Sequence, residues 1–285
     1  MSKDGGKTWN VGKVSGADTL DFRGVKAFKG EAFLLAAGPG DKSRIYHLRT
    51  GKSWELQFTN PEAKGFYDCM AFFDPRRGIV VGDPVNGKFQ IVRTRDGGKT
   101  WQLADPQKMP PAVEGEGAFA ASDSCIAVNG SQDVWFATGG TAARVFHSSD
   151  AGDTWTVADT PIIHGAASQG IFSIAFRDAL HGAIAGGDYK NPEQAGANLA
   201  ITDDGGKTWK LADAAPQKFF SAMAFVGGTT PETIVIGSTA TGVSKDDLKT
   251  WASFTNDGFN ALESKQGVTY AVGAGGKVAK FLTSR

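Results

Sequence analysis

The chain of 285 residues carries 30 basic and 30 acidic side chains, so its formal net charge at neutral pH is zero. This balance argues against the basic surface that attracts nucleic acids or anionic membranes, and we expect no nucleic-acid partner. The sequence has no apolar run long enough to span a bilayer, and we expect no membrane insertion. The length suits one large domain with a substantial core, predicted over residues 1–285.

An eight-residue phrase with the shared pattern Ser/Thr-x-Asp-x-Gly-x-Thr-Trp recurs along the chain. Four copies are complete, and two are degraded. Six of the seven tryptophans end a copy, at intervals of about 40 to 55 residues, a spacing typical of solenoids, propellers and arrays. The copies span residues 2–9, 48–54, 94–101, 148–155, 202–209 and 244–251.

The chemistry of the phrase suits the tip of a hairpin. An Asp side chain can accept hydrogen bonds from backbone N–H groups that follow it in a tight turn, and the glycines permit positive φ. The Ser or Thr hydroxyl can cap the same turn. The Trp restarts a strand and can wedge between neighbouring sheets. All of these roles are structural.

Short β-rich runs bounded by Gly, Pro and Asp lie between the copies, and no long helical periodicity competes with them. The second repeat predicts strands over 65–73, 79–82 and 88–94, followed by a fourth strand from Trp101. Four such strands per repeat, arranged radially, form a β-propeller.

Five complete units end at Trp54, Trp101, Trp155, Trp209 and Trp251. The segment after Trp251 supplies three more strands. Residues 9–14 supply a fourth, which we expect to pair beside Lys277–Leu282 and to close the last blade. We therefore predict an all-β fold, a single β-propeller of six four-stranded blades. A chain seldom starts inside a hairpin, so seven blades are possible if the N-terminus is truncated.

The phrase resembles the Asp-box, or BNR repeat, of a superfamily that includes sialidases and the photosystem II stability and assembly factors. The resemblance covers residues 2 to 251. It implies that the boxes lie at the outer rim of the propeller and carry no activity. Relatives of this type are usually exported, so an exported or periplasmic location is possible if a leader is missing from this chain. The compartment itself stays unknown.

The two cysteines lie about one repeat apart, each in an apolar strand. Adjacent blades could bring Cys69 and Cys125 together, but a disulfide needs Cα atoms within about 7 Å, which the sequence cannot establish. We favour two buried free thiols.

A ligand site is expected where the starts of the inner strands and the loops between second and third strands meet around the central channel. Aligning the inner strands by their apolar ends places the start of the third one at Glu116-Gly117-Ala118. The longest loop opens at Asp188. The polar residues that this alignment brings towards the axis are Arg23, Tyr67, Asp68, Asp83, Glu116, His164 and Asp188.

Each candidate also has a structural interpretation, and the site assignment competes with a network of mutual ion pairs. Asp83 lies between Gly and Pro, which is a common turn signal. A lone His164 is more often a loop residue than a ligand. No His or Cys spacing indicates a metal site, and no phosphate-binding loop indicates a nucleotide, so we expect no metal and no cofactor.

Sialidase activity is disfavoured because the arginines are scattered and no Arg-Ile-Pro motif is present. Another glycoside hydrolase would need two carboxylates about 5 to 9 Å apart, for which Asp68, Glu116 and Asp188 are the catalytic candidates. We favour a monomeric, non-catalytic binding or assembly-type propeller, similar to the photosystem II assembly-factor branch, that recognises a protein, small molecule or carbohydrate at the channel face. A glycosidase and a purely structural scaffold are the alternatives.

Overall fold

A computed structural model describes residues 2, 4–28, 30–213, 218–226, 232–265 and 267–281. Apart from three 3-10 helices of one turn each, the regular structure in this part of the chain is β-strand. The strands are β1 (Asp21–Phe28), β2 (Glu31–Ala37), β3 (Arg44–Leu48), β4 (Trp54–Thr59), β5 (Tyr67–Asp74), β6 (Arg77–Val85), β7 (Lys88–Thr94), β8 (Gln102–Leu103), β9 (Glu116–Gly117), β10 (Ile126–Asn129), β11 (Asp133–Ala137), β12 (Gly139–Gly140), β13 (Arg144–Ser148), β14 (Thr156–Asp159), β15 (Ala166–Phe176), β16 (Gly182–Asp188), β17 (Leu199–Thr202), β18 (Lys210–Leu211), β19 (Ala222–Val226), β20 (Glu232–Ile236), β21 (Thr241–Ser244), β22 (Ala252–Thr255), β23 (Ala261–Lys265), β24 (Val268–Gly273) and β25 (Lys277–Phe281).

These strands form six antiparallel sheets within the described residues, which are the six predicted blades of the propeller. We number the blades in chain order. The innermost strands are β1, β5, β10, β15, β19 and β23. Blades 1, 2, 3 and 5 have four strands each. Blade 4 has six, because β12 pairs with the start of β15 and β9 pairs with β12. The all-β propeller prediction is confirmed.

The predicted hairpin chemistry is present in the boxes. In the second complete box, Asp96 accepts hydrogen bonds from Thr100 N at 2.9 Å and from Thr100 Oγ1 at 2.7 Å. Thr94 Oγ1 accepts a hydrogen bond from Gly98 N at 2.8 Å, and Gly98 has a φ of +77°. The same carboxylate contacts recur in the boxes of Asp4, Asp150, Asp204 and Asp246. The box is therefore a self-contained turn.

The core lies between adjacent blades, where large side chains interleave. Phe33 of blade 1 packs edge-on to Trp101 of blade 2, with ring centroids 6.2 Å apart. Phe89 of blade 2 meets Phe136 of blade 3 at 5.1 Å. Trp101, at the end of its box, thus joins neighbouring sheets, as its position predicted.

The cysteine prediction was wrong: Cys69 and Cys125 form a disulfide with a Cα–Cα distance of 5.9 Å. Cys69 lies in β5, and Cys125 directly precedes β10. Both are fully buried. Neighbouring inner strands converge on the channel axis, which brings these two positions within bonding distance although 56 residues separate them in sequence.

Blade 6 differs from the sequence prediction. It has three strands in the described part of the chain, and residues 9–14 are not in a strand. The N-terminal box still lies against this blade, because Tyr270 Oη donates a hydrogen bond to Gly5 O at 3.0 Å. Trp9, at the end of this box, is 54% exposed. Pairing beside Lys277–Leu282 stays a prediction, since Leu282 lies outside the described residues.

Candidate functional site

A cleft of about 700 Å³ opens on the predicted face of the propeller, between blades 2, 3 and 4. The end of β6 and the turn that follows it form one wall, to which β6 contributes Asp83 and Pro84. The segment 112–119 forms the opposite wall, and the glycines of β12 lie beside it. The loops predicted to surround a site therefore do enclose a concave surface.

Asp83, near the end of β6, is an acidic residue of the cleft lining. Its Oδ1 accepts a hydrogen bond from Ala118 N at 3.0 Å. Gly117 makes this approach possible, since a Cβ there would lie 2.7 Å from the same oxygen. Burial raises the pKa of the Asp83 carboxyl, and the hydrogen bond from Ala118 opposes that rise. A carboxylate in this position would gain from a cationic partner.

Asp68 lies behind Asp83 at a β-bulge, where Tyr67 and Cys69 pair with consecutive residues of β6. Its side chain is 1% exposed, and Oδ2 has no hydrogen-bond partner within the described chain. Burial first and the charge of Asp83 second raise the pKa of Asp68 well above its usual range, while Arg23 opposes the rise. The structure therefore does bring Arg23, Asp68 and Asp83 into one electrostatic neighbourhood.

Arg23 occupies the equivalent bulge in β1, between Phe22 and Gly24. Its Nε donates to Asp21 Oδ2 at 2.8 Å, and the arginine side chain is 41% exposed. It is the predicted cation of the channel, but its direct partner is a surface carboxylate.

Glu116 is paired within the protein. Its carboxylate forms a two-pronged ion pair with Arg144, at 3.0 Å to Nε and 2.5 Å to a terminal nitrogen. Thr138 Oγ1 and Val113 N donate to the same group at 2.6 and 2.8 Å. The side chain is fully buried. Its four hydrogen-bond donors fix the carboxylate in the cleft wall and leave it little capacity to bind a ligand.

The inner-strand alignment was wrong at Glu116. Residues 116–117 form β9, an extension of blade 4, and the inner strand of blade 3 is β10. The apolar run after Glu116 resembled a strand start, but it belongs to the loop that leads to β10. Aligning Cys125 with Cys69 would have found the true position, and it would have pointed to Asp123 and Ser124.

Asp188, Tyr67 and His164 do not join the cleft-lining set. Asp188 is buried and caps its own loop, accepting from Lys190 N at 2.9 Å and Asn191 Nδ2 at 3.0 Å. Burial alone would raise the pKa of Asp188, but the hydrogen bonds to its carboxylate outweigh burial and lower the pKa. Tyr67 is fully buried in the core between blades 1 and 2, and burial raises its pKa. His164 is exposed, and its Nδ1 lies 2.8 Å from Ile162 O.

Sequence reasoning missed the buried charges deeper in the channel. Asp123 Oδ2 lies 3.1 Å from Lys26 Nζ, and Asp123 Oδ1 accepts a hydrogen bond from Met70 N at 2.7 Å. These contacts join blades 1, 2 and 3. Burial raises the pKa of Asp123 to about 6, with Lys26 opposing.

Within the described chain, no group of three or more His, Cys, Asp or Glu residues could hold a metal ion. The same residues contain no helix of the length and hydrophobicity needed to cross a membrane.

Comparison with known proteins gives a repeat family and a fold. Residues 200–211 match the BNR/Asp-box repeat. A search of the curated proteins found no match. The GH74 enzyme of Niastella koreensis aligns with a TM-score of 0.65 at 13% identity, over 88% of this chain and 40% of that chain.

A Dyadobacter fermentans protein of unknown function aligns with a TM-score of 0.53 at 15% identity, over 90% of this chain and 91% of that one. YCF48 bound to a D1 peptide aligns with a TM-score of 0.48 at 16% identity, over 75% of this chain and 62% of that chain. This chain thus spans well under two thirds of the length of the Niastella enzyme and slightly under two thirds of YCF48. The similarities above a TM-score of 0.5 establish a shared fold.

Proposed function

This chain is a β-propeller assembled from BNR/Asp-box repeats, and from that premise we propose that it is a non-catalytic binding protein. Its partner docks at the cleft around Asp83. One observation supports the proposal: the three carboxylates that the sequence offered as catalytic candidates are engaged or inaccessible. Glu116 is held by Arg144, Asp188 caps a loop, and Asp68 is buried without access to a ligand.

The chemistry of the cleft favours a basic side chain of a protein partner. The acidic residues that line it are Asp83, Glu114 and Glu116, and its one basic residue within the described chain is Lys64. Because Glu116 is neutralised by Arg144, the acids left to attract a ligand are Asp83 and Glu114. A Lys or Arg of an extended segment could form a charge-assisted hydrogen bond with Asp83.

The test uses acetylated nonapeptides that differ only at the central residue, which is Lys, norleucine or Glu. We expect the Lys peptide to bind most tightly by fluorescence anisotropy. Asp83→Asn should remove that preference, with a loss of about tenfold in affinity for the Lys peptide. Asp203→Asn, at an exposed rim position, serves as the matched control. Equal binding of the three peptides, or an Asp83→Asn variant that keeps the preference, would exclude this role.

A glycoside hydrolase is the second candidate, favoured by the neighbouring carboxyls of Asp68 and Asp83, whose pKa values are both raised. A raised pKa is what a general acid needs. The burial of Asp68 opposes this role. Hydrolysis of aryl glycosides by the wild type that disappears in Asp83→Asn and persists in Asp203→Asn would establish the enzyme and overturn the binding-only proposal.

A further inference from the structure

A second cavity of about 570 Å³ occupies the opposite mouth of the central channel. All six inner strands contribute to it, from β1 to β23. It shares no lining residue with the cleft around Asp83. Ser122 Oγ donates to Ser221 O at 2.7 Å between the inner regions of blades 3 and 5, and this contact helps to close the channel between its two ends.

The floor of this cavity is the ion pair of Lys26 and Asp123. Gly24 allows Asp123 to reach it, because a Cβ at residue 24 would lie 2.9 Å from the carboxyl carbon of Asp123. Lys26 retains 19% exposure of its side chain, whereas Asp123 retains 6%. Of the two side chains on the floor, that of Lys26 is thus the more exposed.

The rim holds a second lysine and a displaceable acid. Glu263 lies 3.6 Å from Lys26 Nζ, and its side chain is 68% exposed. Exposed ion pairs of this kind contribute little to stability, so a ligand can replace this carboxylate at low cost. Lys265 lies 5.1 Å above the ring of Phe28 and donates to Ala27 O at 3.2 Å. Within the described chain, Lys265 has no carboxylate within 4.0 Å.

Most of the cavity wall is apolar. Phe28, Phe72, Phe176 and Phe225 come from four different blades, and aliphatic side chains of the inner strands fill the spaces between them. Concave sites of this size, apolar with a few fixed polar groups, are typical small-molecule sites.

We propose that this mouth of the channel binds a small apolar molecule that carries a carboxylate. The apolar part lies against the phenylalanines. The carboxylate takes the place of Glu263 beside Lys26 and gains Lys265, which lacks an ionic partner in the described chain. A cationic ligand would instead compete with Lys26 for Asp123 and would meet the charge of Lys265.

Isothermal titration calorimetry with 4-phenylbutyrate, 4-phenylbutanamide and 4-phenylbutylamine tests the site. We expect the acid to bind and the amide and amine to bind at least about tenfold more weakly. Lys265→Met should weaken binding of the acid about tenfold by removing one charge-assisted bond. Glu263→Gln should strengthen binding, because it removes the carboxylate with which the ligand competes.

Two controls separate this site from the rest of the molecule. Lys190→Met removes an exposed lysine elsewhere on the surface and should leave binding of 4-phenylbutyrate unchanged. Asp83→Asn should also leave it unchanged, so the two proposed sites can fail independently. Far-ultraviolet circular dichroism and urea unfolding establish that each variant is folded. The proposal is overturned if the amine binds as tightly as the acid, if Lys265→Met and Glu263→Gln both behave as wild type, or if no binding of the acid is detected.

Discussion

The aspartates of the boxes and the aspartates of the channel are the same residue in opposite environments. Asp4 accepts hydrogen bonds from the hydroxyl and N–H of Thr8 and from Ser2, which lower its pKa to about 2. Asp68 and Asp123 are buried, and burial raises the pKa of each. The boxes stabilise the charged form of their aspartates, whereas burial disfavours the charged form of the channel aspartates.

This difference separates stability from function. A box aspartate forms its hydrogen bonds within the eight residues of its own box. Every copy of the box can therefore contain the same aspartate with the same contacts. A residue that occurs once, at a bulge or a loop end, depends on partners from other blades. The channel acids are therefore the ones expected to respond to a ligand.

The largest expected effect comes from removing the buried channel acid. Asp123→Ala should lower the free energy of unfolding by about 3 kcal/mol, because Lys26 loses its nearest counter-charge and Met70 N loses its acceptor. Urea denaturation measures the change. Asp21→Ala, which removes an exposed partner of Arg23, should cost less than about 0.5 kcal/mol. The double variant Asp123→Ala/Lys26→Met should recover part of the loss; equal losses in the single and double variants would show that the ion pair is unimportant.

A smaller effect is expected from a box. Asp96→Ala should cost about 1–2 kcal/mol, the usual cost of a lost capping interaction, and should leave peptide binding unchanged. The N–H of Thr100 is the main cause that lowers the pKa of Asp96 in the folded state. This stabilisation is present above the ordinary pKa of Asp and is lost as the pH falls through the folded value. The variant and the wild type should therefore converge in acid. Asp203→Ala is the control, and a binding defect without loss of stability would contradict the structural role.

The stability contribution of Asp68 should have the opposite dependence on pH. The raised pKa of Asp68 means that the folded protein holds a proton that the unfolded chain releases, so its contribution to stability falls as the pH rises from about 4 towards the folded pKa. Asp68→Asn removes this slope. The variant should gain stability relative to the wild type as the pH rises, as measured by thermal unfolding between pH 4 and pH 8. If the stability of the two proteins changes with pH in the same way, the pKa of Asp68 is not raised in the folded protein.

The sequence was sufficient wherever the interactions are local. Each box carries its turn, its cap and its Trp within eight residues, so six blades and the positions of the boxes follow from the repeat. The strand bounds of blade 2 were also close, since alternation and turn signals are local properties.

What could not be predicted depends on contacts between blades. The disulfide needs the convergence of two inner strands, and nothing near Cys69 in sequence indicates it. Glu116 looked like a channel acid because its neighbours are small and apolar, yet Arg144, 28 residues later, holds it in the wall. Asp123 was overlooked because its role needs Gly24 and Lys26, which lie about a hundred residues earlier.

The extension of blade 4 by β12 and β9 has a consequence for local unfolding. β12 follows the second strand of blade 3 and pairs with β15, while β9 lies in the connection from blade 2 to blade 3. The start of β15 therefore cannot leave the sheet without breaking its backbone hydrogen bonds to β12, which is itself held on its other side by β9. Amide protons around these pairings should exchange with solvent as one cooperative unit. Those of the three-stranded blade 6, which has no such extension in the described chain, should open independently and at lower free energy.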